Sequence, residues 1–459
     1  MTSFAEEPGE TLRIETPVYG GDSLAHDAAG QVVFVPFTLP GELVRVQASE
    51  AATGGGKDSK RIYELSEWSE RSPERVEPRC IHFGVCGGCQ YQMASEPAQL
   101  AMKGAILQET LAQAGVEAVP TLQSWPSPES YGYRNRIRLR GRRVEGALRL
   151  GYSLRGTNDF LPVTMCPIAA PLLWRGVEAV LASAAGSAEL ARWLESAAEV
   201  EFFCDGGQTR LQITLFCPGK VPQSQSSFGK AMDAVRPLCP ELSGAGAVRV
   251  EARSGRLLEV LATSGTAGLS YPVGDETYWI SRGGFFQVNR FLLPTLVKLV
   301  CGERSGGQAW DLFAGVGLFS RVLARQFQSV TAVEANPTAN ADLRRALAKL
   351  GPQHRAVEAT TLDFLRRAVV ERERPELIVL DPPRAGAGQE VCELLIRLAP
   401  AEIVYLSCDP TTLARDLAVL TRSAYGITAL HLIDLFPQTY HLETLVVLRR
   451  LDVSRNVPQ

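Results

Sequence analysis

Ala309-Trp310-Asp311-Leu312-Phe313-Ala314-Gly315-Val316-Gly317-Leu318-Phe319-Ser320 decides the fold: an apolar strand runs into a turn with two alternate glycines and then into a helix. Further apolar runs follow at Val330-Thr331-Ala332-Val333-Glu334, Leu377-Ile378-Val379-Leu380-Asp381 and Ile403-Val404-Tyr405-Leu406, with helical stretches between them. Strands alternating with helices from about Gly274 onward predict a doubly wound α/β sheet. Two later runs, Ile427 to Leu435 and Thr444 to Arg449, predict an added antiparallel edge.

The turn lacks the third glycine of a dinucleotide fingerprint, which favours a cofactor without a pyrophosphate. Glu334 lies 19 residues beyond Gly315 at the end of the next strand, where a carboxylate can accept hydrogen bonds from ribose hydroxyls. S-adenosylmethionine has such a ribose and no phosphate, so the turn and Glu334 together point to this methyl donor.

Chemistry is expected at the carboxyl edge of such a sheet, and two motifs fall there. Asp381-Pro382-Pro383-Arg384 resembles the motif of amino-methylating enzymes but carries Arg384 where those have an aromatic that stacks on the base. One strand further on, Ser407-Cys408-Asp409-Pro410 puts a thiol at the same edge. A thiol beside a methyl donor suggests methylation at carbon. C5 of uracil is a poor nucleophile until a thiolate adds to C6, and a general base must then remove the C5 proton. Cys408 is the candidate nucleophile, its thiol pKa expected to be lowered by the helix opening at Pro410-Thr411-Thr412. Glu443, in the polar stretch Phe436-Pro437-Gln438-Thr439-Tyr440-His441-Leu442-Glu443, is the candidate base.

Three of the ten cysteines, Cys80, Cys86 and Cys89, form C-x5-C-x2-C around Gly87-Gly88, and Cys166 before Pro167 is the candidate fourth ligand. From spacing alone a tetrathiolate zinc site and a [4Fe-4S] cluster are equally open. Cys204, Cys217, Cys239, Cys301 and Cys392 have no metal-type spacing and read as buried inert thiols.

The whole chain, 459 residues with 45% hydrophobic and 21% charged content, can bury a large core divided among several domains. The formal net charge of -3 hides local segregation. Between Arg134 and Arg155 stand eight arginines and a single acid, Glu145. The first five, Arg134, Arg136, Arg138, Arg140 and Arg142, alternate with residues such as Ile137 and Leu139. In a strand that spacing puts the guanidinium groups on one face, suited to an RNA backbone. Tyr131, Tyr133 and Tyr152 stand ready to stack on unpaired bases.

Residues 1–75 read as a small β-barrel, with a Glu/Ser/Pro/Arg-rich linker from Ser66 to Arg79 and a short Gly54-Gly55-Gly56 loop. Residues 76–266 read as a mixed central domain holding the cysteines, and within it Glu96 to Gly115 reads as one helix. Residues 267–459 form the α/β domain. The amino terminus, Met1 to Pro8, has no leader pattern and no long apolar run follows, so a cytoplasmic protein without a membrane partner is expected.

In order along the chain, Leu39-Pro40-Gly41-Glu42, Cys80 to Gln92, Tyr133-Arg134-Asn135-Arg136, Phe285-Phe286-Gln287-Val288-Asn289 and Asp311 to Gly317 stand with the Asp381, Cys408 and Phe436–Glu443 motifs. Together they resemble the S-adenosylmethionine-dependent RNA uracil-C5 methyltransferases of the iron-sulfur type. The resemblance implies a TRAM-like oligonucleotide-binding (OB-fold) barrel, a [4Fe-4S] cluster on Cys80, Cys86, Cys89 and Cys166, and a Rossmann-like class I methyltransferase domain against which helix 96–115 packs. It also implies Cys408 as nucleophile, Glu443 as proton acceptor, and Gln287, Phe313, Gly315, Gly317, Glu334 and Asp381 around the methyl donor. The implied product is 5-methyluridine in 23S ribosomal RNA, with a transfer-RNA T-loop uridine as alternative, made by a monomer. One departure is the stretch Glu358 to Asp363, where many relatives carry an acid that helps hold the adenine end and this chain leaves open whether Glu358, Asp363 or neither takes that place. A non-catalytic RNA-binding protein would not need Cys408 with Glu443, and an amino-group methyltransferase would need an aromatic in place of Arg384.

Overall fold

The computed structural model describes residues 9–48, 62–219, 221, 224–251, 257–422 and 425–451. Met1 to Pro8 and the Gly54–Gly56 run lie outside the described residues.

From Gly306 onward seven strands form a sheet in the order 355–358, 327–334, 306–312, 377–380, 402–407, 443–450, 425–433. The first five are mutually parallel and Glu443–Arg450 runs antiparallel to both neighbours. The parallel strands read as continuous buried runs, LIVL at Leu377–Leu380 being fully buried, because helices cover both faces. One face packs on helices Leu293–Cys301, Ser320–Gln326 and Pro337–Leu347, the other on Thr361–Val370, Gln389–Leu398 and Pro410–Thr421. The antiparallel pair at Tyr425–Ile433 and Glu443–Arg450 matches the expected edge.

That edge is not the end of the sheet. A short strand, Gln123–Trp125, pairs parallel with Tyr425–Ile433 from far upstream in the chain. It follows helix Glu96–Gln113, which has Ser95 as N-cap and Pro97 in its first turn. Ile106, Leu107 and Leu111 of this helix join the core on the side of helix Pro410–Thr421, and Lys103, fully buried, pairs with Asp434 at 2.7 Å. A buried ammonium so far from its carboxylate in sequence ties the two stretches together.

The middle of the chain forms a seven-stranded sheet from Arg136–Val144 to Leu257–Gly265, covered by helices Pro171–Gly186, Ala188–Ser196 and Gln225–Val235. A hairpin, Gly268–Val273 with Glu276–Ser281, leads from it to the α/β sheet. The amino-terminal strands form two three-stranded sheets around Leu12, Val33, Val35, Val44 and Val46. Strand Tyr63–Glu70 belongs to one of them, so Ser66 to Glu70 is not linker. Its alternation of half-buried and exposed side chains, with Trp68 packed on the small core, explains why a polar composition hid it.

Candidate active site

The sheet brings four acidic or nucleophilic side chains to one edge. Asp311 and Asp381 lie at the carboxyl ends of adjacent parallel strands, and Cys408 just beyond Ser407 at the end of the next. Because the following partner is antiparallel, its beginning lies at that same edge. Ser407 pairs with Thr444, which sets Glu443 beside Cys408 although 35 residues separate them in sequence.

The glycine turn behind this edge is built for close approach. Phe313, Gly315 and Gly317 all have positive φ, at 62°, 55° and 89°. A Cβ on Gly317 would lie 2.7 Å from Leu343 Cδ1, so Gly317→Ala adds both a clash and backbone strain. We expect it to lower Tm by several degrees and to weaken methyl-donor binding, read by calorimetry. Glu334 is fixed toward the turn: one carboxylate oxygen accepts the Gly315 N–H at 2.9 Å and the other the Asn336 N–H at 2.6 Å. Each oxygen keeps a lone pair for a further donor. Phe313 forms one wall of a cavity of about 380 Å³ with Thr360, Leu362 and Ala387. Neither acid of the Glu358–Asp363 stretch lines it: Glu358 is exposed toward Arg344, and Asp363 accepts a hydrogen bond from the hydroxyl of the N-cap Thr360.

Three carboxyls are crowded in the interior. Asp311 accepts a hydrogen bond from the Ser320 hydroxyl on one oxygen, while its other oxygen has no partner. Gln287 Nε2 donates to Asp381 at 3.2 Å. Burial pushes Asp381 up to about 7, reinforced by Asp311, and pushes Asp311 up to about 7 as well. Glu443, 2% exposed, is pushed well above the carboxylate range by burial and then by Asp381.

Cys408 does not behave as its helix position suggests. Burial pushes the half-buried thiol up to about 12, and Glu443 and Asp381 push the same way, with Arg384 opposing. The helix amino terminus cannot offset this because Asp409 already caps it, accepting the Thr411 and Thr412 N–H groups at 3.1 and 3.0 Å. The cap's own negative charge cancels the field that a bare helix end would offer the thiol.

Several site residues carry no local sequence signal. Tyr19, from the amino-terminal strands, donates its hydroxyl to the Cys408 carbonyl at 3.4 Å and meets Tyr440 edge-on at 5.3 Å. His441 packs against Tyr440 and Phe436, and Arg384 Nη2 lies 3.3 Å from its Nδ1. Burial and then Arg384 push His441 down to about 3, so at neutral pH the ring is uncharged and accepts from the arginine. Phe285, two residues before Gln287, is 63% exposed, an aromatic face open for stacking.

The four grouped cysteines all line one cavity of about 620 Å³, together with Gly87, Gly88, Arg134 and Tyr152. Backbone contacts hold the loop there: Cys86 N–H donates to His82 O at 2.8 Å, and Gly87 N–H to Ser153 O at 3.2 Å. Tyr152 Oη lies 3.7 Å from Cys166 Sγ. Arg134 Nε is buried without a partner. Among the described residues no three His, Cys, Asp or Glu side chains close tightly around one ion. Cys204, Cys217, Cys239, Cys301 and Cys392 are buried in the packed interior, and all ten cysteines are free thiols.

The arginine row is a narrower surface than its spacing suggests. Ile137 and Leu139 are buried and the arginines alternate with them. Arg134, however, precedes the strand Arg136–Val144 and lines the cysteine cavity instead. Arg136 lies over Phe203 at 4.0 Å and 3.7 Å from Glu201, and Arg138 pairs with Glu201 and Glu199 at 3.0 and 3.2 Å. Arg140 donates to Ser153 Oγ and Asn158 O. The neighbouring strand Glu199–Cys204 supplies the carboxylates that the local sequence around the row lacks. Arg142 stays exposed, 5.9 Å from the ring of Phe160.

The profile of the tRNA (Uracil-5-)-methyltransferase family matches residues 353–451, the stretch that includes Asp381, Cys408 and Glu443. The chain is 30% identical to the 23S rRNA (uracil(1939)-C(5))-methyltransferase RlmD of Halomonas elongata, over 99% of this chain and 92% of that one. It is 31% identical to an uncharacterized RNA methyltransferase of Streptomyces avermitilis, over 96% and 98% of the two chains. Its fold is shared with the Pyrococcus abyssi tRNA (uracil-54, C5)-methyltransferase solved with S-adenosyl-L-homocysteine, at a TM-score of 0.69 and 21% identity, over 95% of this chain and 99% of that one. The α/β core is accordingly that of the class I methyltransferases, and the chain belongs to the S-adenosylmethionine-dependent RNA uracil-C5 methyltransferase family.

Proposed function

We propose that this chain methylates C5 of a uridine in 23S ribosomal RNA through a covalent bond from Cys408 to ring carbon C6. The observation that carries the mechanism is the pairing of Ser407 with Thr444, which sets a thiol and a buried carboxyl side by side at the carboxyl edge of the sheet. Cys408 Sγ adds to C6 and the electron pair moves to C5, the atom that takes the methyl group. Glu443 takes the C5 proton, and the electrons of that C–H bond expel the thiolate and restore the ring double bond. S-adenosylmethionine, when bound, supplies an electrophilic methyl group and a positive sulfonium. Glu334 and the turn at Phe313, Gly315 and Gly317 hold its ribose side, with Gln287 and Asp381 nearer the target base.

Ribosomal RNA is favoured over transfer RNA because relatives named for the 23S target align over nearly the whole of both chains. The test is to incubate the protein with labelled methyl donor and, separately, ribosomal and transfer RNA lacking the modification, then map 5-methyluridine by mass spectrometry. Label confined to transfer RNA would move the substrate and leave the mechanism standing; label in neither would overturn the reading.

Cys80, Cys86, Cys89 and Cys166 are the residues that would hold a [4Fe-4S] cluster. Four thiols lining one roomy cavity support a polynuclear centre over a single zinc ion. The buried Arg134 guanidinium, whose Nε has no partner, would offset the net negative charge of a cluster on four thiolates. Such a centre would tie the loop of Cys80, Cys86 and Cys89 to Cys166, and the methyl transfer written above balances without electrons from it. Cys86→Ala is expected to cut bound iron from about four atoms per chain to near zero, read by iron analysis, and to lower Tm. The amino-terminal strands are read as a TRAM-like OB-fold barrel, and Arg142 as the exposed member of the arginine row open to RNA phosphates.

The carboxyl crowding predicts a pH signature in the free protein. Asp381 sits at about 7 when folded against 3.8 as reference, so folding favours its protonated form. The stability this contributes is complete below about pH 4 and is lost as pH rises to about 7. Asp381→Asn removes that loss, so its Tm relative to the unaltered protein should climb by several degrees from about pH 5 to about pH 7.5, measured by thermal unfolding. A constant difference would exclude a raised carboxyl at this position.

A further inference from the structure

The loop from Phe436 to Leu442 carries Glu443 into its strand, yet it is held largely from outside itself. Lys103 Nζ donates to Phe436 O at 2.9 Å, and Tyr133 Oη to Pro437 O at 3.1 Å. The densest set of bonds falls on Gln438. Its carbonyl accepts the N–H groups of Gln90 and Tyr91 at 3.1 and 3.0 Å. Its side-chain Oε1 accepts from Gln99 Nε2 at 3.1 Å, and its own N–H donates to Gln99 Oε1 at 2.8 Å. Gln438 and Gln99 are 2% and 1% exposed, and Gln438 has a φ of 69°, a conformation that an unbonded glutamine would leave.

Two of these bonds come from the residues directly after Cys89 and two from helix Glu96–Gln113. The loop that presents the base is therefore fastened to the loop that presents three cysteines. We propose that Gln438 is a positioning residue for Glu443, and that its bonds to Gln90, Tyr91 and Gln99 make an ordered cysteine loop a condition for removal of the C5 proton. This rests on the reading of Glu443 as proton acceptor. In a buried setting each broken bond strands a donor or acceptor, which lets the loop relax without unfolding the sheet. The step that suffers is the one needing Glu443 within proton-transfer reach, while addition of Cys408, carried by a different strand, proceeds.

The test is single-turnover methylation with the full-length protein, its RNA substrate and labelled methyl donor, scored on denaturing gels for the covalent protein-RNA adduct. Gln99→Leu removes both bonds to Gln438, together with the one from Gln99 Nε2 to Ala94 O. Gln438→Gly keeps the positive φ and the carbonyl while deleting the side chain, and serves as the second variant if Gln99→Leu fails to fold. The expected result is adduct formation within about threefold of the unaltered rate and adduct release slowed at least about tenfold. Gln99→Glu, which keeps the acceptor for the Gln438 N–H, should recover part of the loss. Release at the unaltered rate would overturn the proposal, as would equal slowing of formation and release. Glu443→Gln run alongside separates the two readings. If it accumulates no adduct, the base assignment itself fails; if it accumulates adduct and the Gln99 and Gln438 variants do not, only the present inference fails. A second readout needs no catalysis: stripping iron from the whole protein with a chelator should speed amide hydrogen exchange in the segment from Asp434 to Leu442 at least about tenfold. Unchanged exchange would sever the link to the cysteine loop.

Discussion

Cys408→Ala is expected to abolish methyl transfer, by more than about 10⁴-fold, the scale on which loss of a covalent nucleophile acts, while RNA affinity changes little. The reason lies in the substrate: without a thiolate on C6, C5 has no electron pair to offer the methyl group. The site also shows why the residue cannot be replaced by serine. The thiol already sits at about 12 through burial and the neighbouring Glu443 and Asp381, and a hydroxyl, far less acidic, would stay protonated throughout. Arg384 is the positive group that favours the thiolate. Cys408→Ser should therefore be as inactive as the alanine variant, and both should form no adduct on a denaturing gel. Filter binding supplies the control, since Cys408 is set back between strand and helix rather than on the arginine face. Methylation retained at even a tenth of the unaltered rate in Cys408→Ala would end the covalent mechanism.

How far the sequence carries depends on whether a feature is local. The strand ends at Asp311, Asp381 and Cys408 were readable because a parallel strand announces itself as a buried apolar run, and its carboxyl end follows from chain direction alone. The turn at Gly315 and Gly317 was readable because positive φ leaves glycine as its mark. What depended on a distant partner was not. The even spacing of Arg136 and Arg138 puts them on one face but hides their neutralisation, since Glu199 and Glu201 come from a strand some sixty residues later. The acidity of Cys408 is hidden for a similar reason: the helix end carries the charge of its own cap, Asp409, and the sheet brings buried carboxyls across to the thiol. Tyr19 at the Cys408 carbonyl and Gln99 against Gln438 join segments more than three hundred residues apart, and no periodicity encodes such pairs.

Glu443→Gln should give the opposite phenotype from Cys408→Ala: a protein that reacts with RNA and does not let go. Glutamine keeps the volume, and burial of an uncharged amide suits a site that already favours the protonated acid. Addition of Cys408 and methylation of C5 need nothing from this side chain, so both proceed. The amide then cannot accept the C5 proton, and the thioether bond to C6 persists. The expected readout is a methylated, denaturant-stable protein-RNA adduct in near-stoichiometric yield, with turnover reduced by about 10³-fold or more, at the upper part of the range for loss of a general base. Its pH dependence carries a further sign. Since burial and Asp381 hold Glu443 in its protonated form, the competent carboxylate gains population as pH rises, and release of product from the unaltered protein should quicken toward alkaline pH. In the glutamine variant that gain should be absent and the adduct should persist across the pH range, because the side chain at position 443 no longer titrates. An adduct that resolves at the unaltered rate, or a release step that keeps its full pH dependence, would assign proton removal to another group, with Asp381 the nearest acid to test.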